Sequence, residues 1–256
     1  MMNTNVALKK PFALVPSAVG TALATFLGMM AIGAVFAAGT YVMASRSGAP
    51  MIVNNYAVDS MWKALFVGSI VVWYGSLTVV GAVMAIYSWS VITQWLRVSV
   101  NAGDRRWDFF VSYCVAIASA LVVTVTLGVL HMLITPAGMI STIDDRMSFG
   151  FRAAFSLEAS AFDIQVGASH GWSWVAAAVL FIAIFALLSG AFATMYLHSG
   201  RSFEVVALVV LLIIATIGLG FVFEQGMVGY LGSTLVVLML TAAIWWGMRR
   251  APLIPR

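Results

Sequence analysis

No charged side chain occurs between Lys10 and Arg46, nor between Lys63 and Arg97, Asp108 and Asp144, Asp163 and Arg201, Glu204 and Glu224, or Glu224 and Arg249. Runs of this length decide the solvent before they decide the fold. A hydrocarbon core of about 30 Å is crossed by about 20 helical residues. Each run supplies that many, and 62% of all residues are hydrophobic, at a mean hydropathy of +1.03. Leaving such a surface in water would cost about 0.8 kcal/mol per exposed CH2, so the chain belongs in lipid.

Inside lipid every backbone N–H and C=O must find a partner within the protein, which leaves helices or a closed barrel. The two-residue alternation of a barrel strand is missing from these runs, so an all-α bundle of six transmembrane helices is predicted. The expected spans are residues 14–44, 62–96, 109–135, 172–197, 203–224 and 227–248, in one integral membrane domain covering 1–256. Lys9 and Lys10 precede the first span as in a signal peptide, but its apolar run exceeds the usual core of about 7 to 15 residues. It is expected to be a retained helix. The second span, from Trp62 to Leu96, would be about 50 Å long as one helix and would need strong tilt or a covering partner, unless it breaks near Gly75 or Gly81.

Basic residues set the threading, because cationic loops resist translocation. With the N-terminus inside, nine Lys and Arg lie on the inner side (Lys9, Lys10, Arg97, Arg105, Arg106, Arg201, Arg249, Arg250 and Arg256). Four lie outside, namely Arg46, Lys63, Arg146 and Arg152. Both termini are therefore expected inside. The formal net charge of +4 is accounted for by anchoring to anionic lipid and calls for no nucleic-acid partner. Trp62, Trp95, Trp107, Trp172, Trp174, Trp245 and Trp246 fall near span ends, as an interfacial aromatic belt should. Trp73 and Tyr74 fall well inside the second span, where their N–H and O–H groups favour a protein-facing side.

The longest connection, 136–171, contains the charged stretch IDDRMSFGFR. Thr142 fits an N-cap with Asp145 three residues on. Ile143, Met147, Phe151 and Phe155 then recur every fourth residue. This predicts an amphipathic helix lying in the outer interface, with Met147, Phe151 and Phe155 as a partner-docking face. Asp144 and Asp145 would point about 100° apart on it and chelate poorly together.

Chemistry has few places to reside. The centres of all six spans lack ionisable residues, which in lipid are functional hypotheses by default. Nearest to the apolar runs are His131, His198, Glu204 and Glu224. Of these Glu224, in FVFEQGMVGYLG, and His131 are the candidate ion or proton sites. Only His131 and His170 could approach each other at one depth as metal or haem ligands, and no cofactor is expected. Cys114 is the single cysteine, so no internal disulfide can form. Sequence signatures of serine hydrolases, zinc peptidases and P-loop proteins are all missing. Ala24 and Gly28, Gly33 and Ala37, Gly81 and Ala85, and Ala116 and Ala120 have the small-xxx-small spacing that permits close helix approach.

These features favour a non-catalytic membrane subunit of a larger assembly, of secretion-machine or respiratory-complex type, partnered by lipid and other membrane subunits in a bacterial inner membrane. A channel or transporter for a small solute or ion is the alternative. An intramembrane enzyme would require His131, His170, Asp144 or Glu224 to converge at the outer face.

Overall fold

A computed structural model describes residues 13–48, 50–53, 56–134, 151–152, 162–166, 172–199 and 227–251. The chain is mostly helical, and among the described residues five helices are long and apolar enough to cross a bilayer. These mark it as a multi-pass membrane protein.

Helix α1 (Val15–Ser47) is 33 residues long, about 50 Å. Pro16 suits its first turn, where the missing N–H costs nothing. Gly48 ends it in the left-handed region, φ +70°, a backbone state that glycine adopts without strain. Two short strands, β1 (Met51–Val53) and β2 (Tyr56–Val58), follow. Helix α2 (Met61–Val71) opens on Ser60, whose side chain accepts a hydrogen bond from the Lys63 amide.

The stretch from Trp62 to Leu96 is interrupted, as a break near Gly75 would have it. A break at Val72 separates α2 from α3 (Trp73–Ser90), and a π-helical turn at Val91–Trp95 leads into α4 (Leu96–Asn101). Neither interruption involves proline. At Val72 the backbone N–H turns back to the Gly68 carbonyl, and Ser76 Oγ donates to the Val72 carbonyl at 2.7 Å, so the groups freed by the break stay satisfied. Gly103, φ +93°, closes α4. Helix α5 (Arg106–Ile134) follows, with Asp108 in its positive first turn.

Strands β3 (Phe151–Arg152) and β4 (Phe162–Val166) lie in the 136–171 connection, and of the stretch expected to form the interfacial helix only Phe151 and Arg152 are described. The two strands complete a sheet of order β2-β1-β4-β3, with β1 parallel to β4 and β3 antiparallel to it, Phe151 opposite Val166. The helical docking face of Met147, Phe151 and Phe155 is thereby corrected at Phe151, which is extended. Gly150 disfavours the helix by about 1 kcal/mol, and FDIQV alternates apolar and polar residues with the period of a strand. Met147 and Phe155 lie outside the described residues. Helices α6 (Trp172–Ser199) and α7 (Met227–Arg250) match the fourth and sixth expected spans, while the fifth, 203–224, is outside the described residues.

The chain gathers into two compact units. One comprises residues 1–24, 78–125 and 176–256, in which Met84, Ile92, Tyr113, Ile182 and Ile244 are fully buried. The other comprises 25–77 and 126–175, and Ala37, Ala44, Met51, Val58, Ala64, Val67 and Ile70 form a continuous core there.

Candidate functional site

The second unit holds the one buried histidine among the described residues. His131, in the last turn of α5, is 1% exposed, and its imidazole centroid lies 5.0 Å from that of Trp73, tilted by 56°. Trp73 in turn meets Phe26 of α1 edge to face at 4.9 Å. Both aromatic residues are buried as well.

The arrangement follows from a glycine contact further along α1. A Cβ on Gly33 would collide with the Val72 side chain and the Gly68 carbonyl, and one on Gly68 would collide with Ala37 and the Gly33 backbone. Two bare backbones therefore let α2 approach α1 closely and seat the break at Val72 against it. Trp73 is the next residue, and Phe26 lies two turns before Gly33 on the same side of α1.

Chemically the cluster packs an ionisable ring against a buried indole. The indole Nε1 of Trp73 is buried and has no hydrogen-bond partner among the described residues.

Trp73 and His131 were both apparent in the sequence, for separate reasons; their contact was not. The side chain of Tyr74 is outside the description, as are Glu224, His170 and Asp144. Among the described residues no three His, Cys, Asp or Glu side chains gather as a metal site.

Sequence reasoning passed over a second polar cluster, in the first unit. Ser88 Oγ and the Tyr113 hydroxyl share a hydrogen bond, Tyr113 also donates to the Ala186 carbonyl at 3.4 Å, and Ser189 Oγ donates to the Ala85 carbonyl at 2.7 Å. Three helices, α3, α5 and α6, are tied together there. The available signal was intramembrane Ser and Tyr, which serve as interhelical hydrogen-bonding groups as readily as Gly and Ala serve as spacers.

At one end of the same unit Arg106 binds the C-terminal end of α7. Its guanidinium donates to the carbonyls of Met248 at 3.1 Å, of Arg249, and of Ala251 at 2.9 Å. The last carbonyls of a helix lack intrahelical partners and carry its negative dipole end, so a cation is well placed there.

Comparison with protein families, with curated proteins and with solved structures returns no match.

Proposed function

We propose that the chain is an integral membrane subunit of a larger membrane assembly, with no catalytic step of its own and both termini on the cytoplasmic side of a bacterial inner membrane. One observation carries this reading: these buried hydroxyls bond within the protein. Ser88 and Ser189 bond across helices, to Tyr113 and to the Ala85 carbonyl, while Ser76, Thr124 and Thr194 bond to carbonyls three or four residues back in the chain. A solute path needs polar groups turned toward the solute, and these are turned toward the protein. The length of α1, well beyond the hydrocarbon thickness, supports the same reading, since its excess needs a protein or headgroup environment.

The test is the native mass after gentle extraction from the source membrane, compared with the 27.4 kDa chain. A heteromeric mass with reproducible companions is expected. A monomer or homo-oligomer without companions would overturn the proposal.

A second reading, a small-solute or ion channel or transporter, is favoured by His131. A buried imidazole packed beside an indole can take up and release a proton during a transport cycle. Flux in liposomes that disappears in His131→Leu would move the conclusion to this reading.

A further inference from the structure

The clamp on α7 has a consequence for what surrounds it. By fixing the start of α5 to the end of α7, Arg106 brings Arg105 into the neighbourhood of Arg249 and Arg250, and all three of these are exposed. Among the described residues none of the three arginines is in direct ion-pair contact with a described acid. Of the two nearby aspartates, Asp104 accepts from Ser99 Oγ at 2.8 Å, and Asp108 sits in the first turn of α5. Cations concentrated at one corner repel one another, and an anion relieves that repulsion.

The corner is also aromatic. Trp107 meets Trp245 at 4.9 Å and Phe110 at 5.6 Å, while the Arg250 guanidinium lies 4.3 Å from the ring centroid of Trp246. Trp107 and Trp246 are 53% and 58% exposed. Exposed tryptophans at the ends of apolar helices sit at headgroup level. A guanidinium held over an indole by this contact still carries N–H donors, and two of them in parallel grip a phosphate.

We propose that this corner, where α5 begins and α7 ends, holds the headgroup of an anionic phospholipid, with Arg105, Arg249 and Arg250 as the phosphate ligands and Trp107 and Trp246 at the boundary between headgroups and acyl chains. Arg106 is a positioning residue, its donors already used on carbonyls. The inference requires the chain to lie in a bilayer, and it is independent of whether the chain serves as a subunit or a carrier.

The experiment uses the full chain in nanodiscs of phosphatidylcholine with a minority of phosphatidylglycerol, followed by mass spectrometry of the lipid retained after transfer to detergent. Wild type should retain phosphatidylglycerol selectively. Its preference should fall by about fivefold for each arginine removed in R105Q, R249Q and R250Q, and should weaken with salt. The same change at Arg46 should leave it intact. A triple variant that retains phosphatidylglycerol like wild type overturns the proposal. Should the triple variant fail to fold, wild type in pure phosphatidylcholine discs is titrated with short-chain phosphatidylglycerol or phosphatidylcholine while tryptophan emission is read. Equal responses to the two lipids overturn the proposal, and a response to phosphatidylglycerol alone supports it.

Discussion

The hydroxyl oxygens of Ser88 and Tyr113 lie 2.5 Å apart, and neither side chain has more than a trace of exposed surface. Gly190 makes this possible: a Cβ there would sit 2.5 Å from the Tyr113 oxygen and 2.9 Å from that of Ser88. The bond and the glycine thus form one device, in which α6 comes close because it offers no side chain and the two hydroxyls fill the space.

Removing either half should weaken the first unit, by different amounts. Tyr113→Phe leaves the ring and deletes the bond, and interhelical hydrogen bonds in membranes average about 0.6 kcal/mol with a maximum near 1.7. Gly190→Ala pushes a methyl into both oxygens and should cost about 1 to 3 kcal/mol, as overpacking does. Reversible unfolding in mixed micelles measures both. A Tyr113→Phe, Ser88→Ala double-mutant cycle with no coupling energy would show that the contact contributes no stability.

The glycines of α1 should separate in the same assay. Gly33 meets Val72 and Gly68, whereas nothing lies within 4 Å of a Cβ on Gly28. Gly33→Ala should therefore destabilise by about 1 to 3 kcal/mol. Gly28→Ala should be neutral or stabilise by up to about 1 kcal/mol, because alanine is the better helix former.

That contrast shows what was legible in the sequence. Spacing nominated both Ala24 with Gly28 and Gly33 with Ala37, since a four-residue interval places two small residues on one face, yet it does not say which face meets a neighbour. The first, third, fourth and sixth spans were legible because hydropathy is a property of one segment. A break in the second was legible near Gly75, but its place at Val72 was not, because there the bare backbones of Gly33 and Gly68 meet from different helices. The contact between Trp73 and His131 was hidden for the same reason. At Phe151 two periodicities competed, and strand pairing with β4 prevailed over a helical pattern interrupted by Gly150.

Outside the spans, Asp59 should titrate low. The hydrogen bond from Lys63 Nζ, 2.6 Å long, is the main cause holding its carboxyl below the ordinary 3.8. A depressed acid contributes its stabilisation above the unfolded value and loses it as pH falls through the folded value, so the contribution is intact at neutral pH and vanishes in strong acid. Both groups are exposed, so the effect on overall stability should be too small to shift the melting temperature of Asp59→Asn. Carboxyl chemical shifts followed by NMR should show Asp59 returning to the ordinary range in Lys63→Gln. A shift that stays depressed there would assign the effect to another cause.

The aromatic cluster of the second unit separates structural from titrating roles for its histidine. Trp73→Ala removes a buried indole packed on both Phe26 and His131 and should cost about 3 to 5 kcal/mol. His131→Leu keeps a large side chain in the site and removes the ionisable ring, so its cost should be smaller than that of Trp73→Ala. If the chain is a subunit, His131→Leu should also keep the companions of the wild-type protein, because its fold is preserved. A His131→Leu protein that unfolds as readily as Trp73→Ala would mean that the imidazole itself holds the cluster together through polar contacts, and the proton-handling reading would lose its support.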